Sequence, residues 1–181
     1  PENAKVMLNI SCLKPQKDVS TYLQVVRAVV NSHPEAIFLI AGDGDLRKEL
    51  EEEAHALGIN DSIRFLGWRR DIPELLALSD ILVLTSLWEG LPQSFGQAMA
   101  AGLPIVATRV DGAAEAVVHG VNGLLFESKD VQGLSMGICK LLGNEPLLEL
   151  MGESAKERFE RFSTQTTIST LDEFYRPFVE A

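Results

Sequence analysis

The sequence predicts an α/β protein, a Rossmann-like doubly wound parallel sheet of about six strands covered by helices on both faces. Two observations predict it. Short apolar runs, most of them β-branched, alternate with segments of helical spacing along the whole chain. The runs are also apolar at successive positions, as strands buried on both faces of a parallel sheet must be. Val6 to Ile10 reads as the first strand, and Val19 to Val30 follows as a helix with apolar residues at Tyr22, Val25, Val26, Val29 and Val30. Ile37 to Ala41 is a second strand stopped by Gly42-Asp43-Gly44, and Asp45 to Leu57 a charged amphipathic helix ended by Gly58. Ile63 to Leu66 and Ile81 to Leu84 are strands, separated by a short helix from Ile72 to Leu78. Gln93 to Ala101 is a helix ended by Gly102, followed by a strand at Ile105 to Ala107, a short helix around Ala113 to Val118 and a strand at Gly123 to Phe126. Helical segments near Val131 to Leu142, Leu147 to Phe162 and Thr166 to Val179 close the chain, the last within a carboxyl-terminal helical stretch at 164–181.

At roughly 150 residues per domain, residues 1–181 make a single domain. Apolar residues are 46% and charged residues 23%, the proportions of an ordinary globular protein rather than a disordered one. No run approaches the ~18 apolar residues of a membrane span. Pro1-Glu2-Asn3-Ala4-Lys5 lacks the basic start and apolar core of a signal peptide, and the missing initiator Met suggests an excised piece of something longer. Cys12 and Cys139 share no metal-ligand spacing, so zinc and a disulfide framework are not expected and a reducing, cytoplasmic compartment fits best. The three histidines, His33, His55 and His119, have no such spacing either and are assigned no chemistry.

Sixteen basic against 26 acidic residues leave a net charge of -10, the wrong sign for a nucleic-acid binder. An anionic ligand must then be held by a local device, and in a sheet of this type ligands bind outside the carboxyl ends of the strands. The acidic excess itself, as at Glu49, Glu51, Glu52 and Glu53, reads as solvated helix surface. After the first strand comes Ser11 to Asp18. Lys17 at the start of a helix opposes the helix dipole, which a bound phosphate or a merely solvated side chain would each explain. Gly42-x-Gly44 lacks the third glycine of a dinucleotide fingerprint, Arg47 standing in its place, and reads as a tight turn open to close backbone approach. Gly67-Trp68-Arg69-Arg70-Asp71 offers a flat ring and guanidinium donors for a base or phosphate, or else a surface loop in which Asp71 caps the next helix. Glu89-Gly90-Leu91-Pro92 is the richest loop. A carboxylate stands at a strand mouth, Pro92 starts a helix, and the N–H groups of Gln93, Ser94 and Phe95 form an anion site without a basic side chain, with Gln97 a turn further on. Glu89 as a plain helix-dipole partner is the alternative. In Asp111 to Glu115, Asp111 as a helix cap competes with ligand contact.

In order and spacing, these segments resemble the carboxyl-terminal, donor-binding half of the retaining GT-B glycosyltransferases of group 1, or family 4, which include glycogen and sucrose-phosphate synthases. The resemblance runs from about Lys5 to Phe162. Its pieces are Leu13 to Lys17, Ile40 to Gly44, Phe65-Leu66-Gly67, Ser79-Asp80-Ile81, Glu89 to Pro92, Glu115-Ala116-Val117, Asn122 to Leu125 and, most specific, Ala98-Met99-Ala100-Ala101-Gly102-Leu103-Pro104-Ile105-Val106-Ala107-Thr108. It implies one half of a GT-B fold binding a nucleotide diphosphate sugar as co-substrate, with neither metal nor other cofactor. It implies an acceptor-holding amino-terminal domain, absent from the chain, and an enzyme inactive without it, working in polysaccharide or glycoconjugate biosynthesis. Peripheral membrane association is left open for the full-length protein alone. Glu89 and Lys17 would be catalytic, on the donor sugar and the diphosphate. Gly42, Gly67, Trp68, Arg69, Leu91, Pro92, Gln93, Ser94, Phe95 and Gln97 would bind the rest of the donor. The reaction implied is transfer with retention at the anomeric carbon.

Three positions depart from the family pattern. Gln97 replaces the second of two glutamates separated by seven intervening residues, with one acceptor oxygen and an NH2 donor in place of a carboxylate. Ser11-Cys12 replaces Gly-Arg, removing a phosphate-binding cation, and Asp18 replaces the Gly after the lysine. These departures motivate an alternative, a non-catalytic nucleotide-sugar-binding or scaffolding homologue. An unrelated parallel-sheet domain is a third reading.

Overall fold

The computed structural model describes residues 4–179; positions 180–181 of the expected last helix, and Pro1, Glu2 and Asn3, lie outside the described residues. The strands are β1 (Val6–Ile10), β2 (Ile37–Ala41), β3 (Ile63–Gly67), β4 (Ile81–Leu84), β5 (Ile105–Thr108) and β6 (Gly123–Phe126). The helices are α1 (Val19–Val30), α2 (Arg47–Ala56), α3 (Ile72–Ala77), α4 (Gln93–Ala101), α5 (Ala113–Ala116), α6 (Val131–Leu142), α7 (Glu145–Phe159) and α8 (Thr164–Val179). The predicted class holds: the strands form one six-stranded sheet in the order β3-β2-β1-β4-β5-β6, every named pairing parallel. No described helix is long and apolar enough to cross a membrane.

Two cores follow from the period of the strands. Successive strand residues point to opposite faces, so Met7, Phe38, Ile40, Ile81 and Val83 pack with α1, α2 and α6 through Tyr22, Leu50 and Ile138. Their neighbours Leu8, Leu39, Leu82, Leu84 and Ala107 face α3, α4 and α5 through Leu75, Phe95, Met99 and Ala116. Helix α7 reaches both cores, through Met151 and Ala155. Burial pushes the Tyr22 phenol up from its ordinary pKa, and its hydroxyl donates to the Leu39 carbonyl of β2.

Polar groups within the core are paired. Asn9, fully buried in β1, donates to the Val83 carbonyl at 3.0 Å and accepts from Ser11 Oγ at 2.6 Å, tying β1 to β4 and setting the direction in which the chain leaves β1. Below the sheet, Asp80 accepts the Val6 N–H at 2.7 Å and Ser79 donates to the Leu75 carbonyl at 2.6 Å. Helix α8 differs from the rest: none of its residues is buried, and Ile168, Leu171, Phe174 and Phe178 are exposed.

Truncating a β1 residue that fills the core should therefore be far more destabilising than truncating α8. Leu8→Ala is expected to lower unfolding stability by about 2–5 kcal/mol, and Leu171→Ala by no more than about 0.5 kcal/mol, as read by urea denaturation.

Candidate functional site

Strand order reverses its direction of growth between β1 and β4, and a crevice opens at their carboxyl ends, where open α/β sheets receive ligands. The chain leaving β1 enters a 3-10 turn at Pro15–Lys17, and Asp18, with φ 43°, reverses into α1. Lys17 thus ends a short turn rather than opening the long helix, which answers the dipole objection raised by its sequence position. Asp18 stands at the N-cap of α1 without a side-chain bond to the helix backbone: its carboxylate accepts from Thr21 Oγ1 at 2.7 Å.

The loop leaving β4 is sewn to this turn. Leu87 N–H donates to the Gln16 carbonyl and Gln16 Nε2 to the Trp88 carbonyl, both at 2.8 Å. Thr85 Oγ1 donates to the carbonyls of Lys17 and Asp18 at 3.2 and 3.0 Å, and from β5 Thr108 Oγ1 donates to the Ser86 carbonyl at 2.6 Å. This framework brings together the two residues expected to be catalytic. Lys17 Nζ forms an ion pair and hydrogen bond with Glu89 Oε1, and Ser86 Oγ donates to that same oxygen at 2.7 Å. Their side chains are 18% and 10% exposed, so the pair stands largely out of water, where removing one partner leaves a buried charge uncompensated.

A second wall comes from β2 and β3. Gly42 N–H donates to the Gly67 carbonyl at 2.9 Å. With φ 147°, and a Cβ that would stand 1.9 Å from the Ser11 carbonyl oxygen, position 42 admits only glycine. The close approach is thus to the neighbouring loop; Gly42 lines the crevice, whereas Gly67 supports it from behind. Trp68 and Arg69 line the rim, Trp68 with 73% of its surface exposed. Asp71 stands at the N-cap of α3 as expected but makes no side-chain capping bond; its carboxylate accepts from Arg69 instead, with the Nε contact at 2.8 Å. That hydrogen bond holds the Asp71 carboxyl below its ordinary pKa.

The third wall is the start of α4, with Leu91, Pro92, Gln93, Ser94 and Gln97 on the crevice. Phe95 is corrected. Its N–H already donates to the Pro92 carbonyl at 3.0 Å and its ring is 1% exposed in the core, so it anchors the helix and leaves Gln93 and Ser94 at its mouth. Asp111 does not cap α5 either; Gly112 holds that position. The cleft measures about 550 Å³, within the ~300–1,000 Å³ of small-ligand sites.

Several contributors escaped the sequence reading. Ile10, Ala41 and Ile72 form apolar lining, and Cys12 lines the cleft as a free thiol. Ser86, three residues before Glu89, orients the carboxylate. Gly112 braces the loop from the far side: a Cβ there would lie 2.1 Å from the Gly90 carbonyl oxygen. Among the described residues no group of three or more His, Cys, Asp or Glu could hold a metal ion.

The family model for glycosyl transferases group 1 matches residues 1–158. The chain belongs to that family. N-acetyl-alpha-D-glucosaminyl L-malate synthase of Bacillus anthracis is 33% identical over 96% of this chain and 46% of its own length. An Escherichia coli UDP-Gal:alpha-D-GlcNAc-diphosphoundecaprenol alpha-1,3-galactosyltransferase is 28% identical over 86% of this chain and 41% of its own. The chain therefore spans less than half the length of these relatives. Anabaena HepE in complex with UDP superposes with a TM-score of 0.90 at 28% identity, covering 97% of this chain and 49% of that one. HepE in complex with UDP-glucose does so at 0.88 with the same identity and coverage. Within this member of the group 1 family, the family segments divide by task. Leu13 to Lys17 and Glu89 to Pro92 build the cleft, whereas Ser79-Asp80 and Asn122-Gly123 hold the opposite end of the sheet, Asn122 accepting the Val118 N–H at 2.8 Å.

Because Gly112 meets the Gly90 backbone rather than a flexible side chain, Gly112→Ala must push the loop that carries Glu89. The expected result is a stability loss of about 1–3 kcal/mol together with shifted amide resonances at Ser86 to Leu91, measured by thermal unfolding and two-dimensional NMR.

Proposed function

We propose that this chain is the donor-binding domain of a glycosyltransferase that moves a sugar from a nucleotide diphosphate sugar to an acceptor with retention of anomeric configuration. The observation that carries the reading is the meeting of Lys17 and Glu89 over a cleft at the switch point of the sheet. One cation, one carboxylate and a helix start on a common cleft are the groups that a diphosphate joined to a sugar requires. The 28%-identical HepE complexes with UDP and UDP-glucose support the same ligand class.

In this reading the diphosphate lies against Lys17 and the N–H groups at the start of α4. These donors are held in place before the reaction, so they stabilise charge as it develops on the leaving phosphate without rearranging. Glu89 accepts from a hydroxyl of the sugar and orients the anomeric carbon. As the glycosidic bond breaks, the sugar passes through an oxocarbenium-like state. The departing phosphate oxygen takes the acceptor's proton, and the acceptor oxygen bonds to the carbon on the face the phosphate leaves. Trp68 and the backbone of Gly42 border the nucleoside. The acceptor is supplied by the amino-terminal half that the relatives' greater length implies.

The test has two arms. In calorimetric titrations of this chain with UDP, GDP and ADP and their sugar conjugates, one nucleotide is expected to bind preferentially, and Lys17→Ala to weaken it by roughly tenfold or more, the worth of a charge-assisted hydrogen bond. In transfer assays of the full-length protein, Glu89→Ala is expected to abolish turnover, and the product's anomeric configuration is read by NMR. Nucleotide binding without transfer by the full-length protein would make the domain a binding module instead.

A further inference from the structure

We propose that the Lys17–Glu89 ion pair makes the cleft prefer a nucleotide that still carries its sugar over the nucleoside diphosphate left when the sugar has gone. The inference rests on the donor-site reading above and gives Glu89 a second task, competition with the diphosphate for Lys17.

The charged side chains lining the cleft are Lys17, Arg69 and Glu89, and both cations are engaged, Arg69 with Asp71 on the rim and Lys17 with Glu89 inside. Lys17 and Ser86 donate to the same oxygen, Oε1 of Glu89. A diphosphate that draws Lys17 away leaves a carboxylate only 10% exposed with Ser86 as its remaining partner. An uncompensated charge at that depth is unfavourable. Nor can Glu89 easily swing into water, because the loop that carries it is tied at Leu87 and Trp88 to Gln16, and at Ser86 to Thr108.

A sugar on the diphosphate brings hydroxyl donors to the freed Oε1 and restores what Lys17 withdrew. A nucleoside diphosphate alone brings none, so it carries the full penalty of breaking the pair. Once the sugar has left, Glu89 reclaims Lys17 and the remaining nucleotide is released. Selectivity here arises by destabilising the wrong ligand as well as by contacting the right one.

The experiment is a calorimetric comparison of the 181-residue chain with its Glu89→Gln, Glu89→Ala and Lys17→Met variants, against UDP, GDP and ADP and against UDP-glucose, GDP-mannose and ADP-glucose. Thermal unfolding of each variant confirms that it is folded. Removing the competing carboxylate should tighten the bare nucleoside diphosphate by about tenfold, the scale of one hydrogen bond to a charged group. The margin by which the sugar conjugate is favoured should collapse in the same variants, and Lys17→Met should weaken both ligands. Unchanged or weaker diphosphate binding in both Glu89 variants, with Lys17→Met still weakening it, overturns this inference and leaves the donor site standing. Failure of the unsubstituted chain to bind any of the six ligands overturns both.

Discussion

The crevice between β1 and β4 depends on one constraint: these neighbouring strands feed helices on opposite faces, α1 on one side and α4 on the other, so the loops leaving them diverge. Left alone, two diverging loops would be floppy. Here Asn9 ties the strands together just below, and the bonds from Thr85, Leu87 and Gln16 knit the loops above. The Lys17–Glu89 pair is the last stitch in that seam and also the chemistry of the cleft. A structural seam and a ligand site thus share the same two side chains, which explains why both can be ordered before any ligand arrives.

How legible this was in the sequence depends on the range of the interaction. Strands and most helices are local, and a buried parallel strand announces itself as a short β-branched run; β1, β2, β4 and β6 have the expected bounds. Helix ends were less well placed. The expected helix from Leu147 to Phe162 begins instead at Glu145, where Asn144 accepts the Leu147 N–H at 3.1 Å, and it passes into a 3-10 turn at Glu160–Phe162. The two caps expected at Asp71 and Asp111 fail for different reasons. Asp71 stands at the N-cap of α3 but its carboxylate is taken by Arg69, whereas at α5 the N-cap position falls one residue later, on Gly112.

The site divides in the same way. Lys17 and Glu89 stand out in the sequence as residues that a purely structural loop does not require, Pro92 marks the helix start beside them, and the family likeness gives all three roles. That Lys17 and Glu89 touch each other was not visible, because 72 residues separate them and only the strand order brings their loops together. Gly112 belongs in sequence to a loop of its own, yet a Cβ there would meet the Gly90 carbonyl on the loop between β4 and α4. Phe95 shows the opposite error. Its place in the first turn of a helix suggested a free N–H, but the turn closes on Pro92 and uses it.

Net charge sharpens what remains. A chain carrying -10 repels an anionic donor at a distance, and the two cations lining its cleft among the described residues, Lys17 and Arg69, are already paired. Binding must come from exchange at short range: phosphate for carboxylate at Lys17, sugar hydroxyl for lysine at Glu89, with N–H groups at the α4 start adding donors that bear no formal charge. Exchange yields little net affinity, since each new contact replaces an old one of similar kind. It does yield discrimination, because a ligand missing any one group leaves a buried partner unsatisfied. A site for a group-transfer donor gains from that balance, for its substrate and its product differ by the single sugar on which the exchange turns.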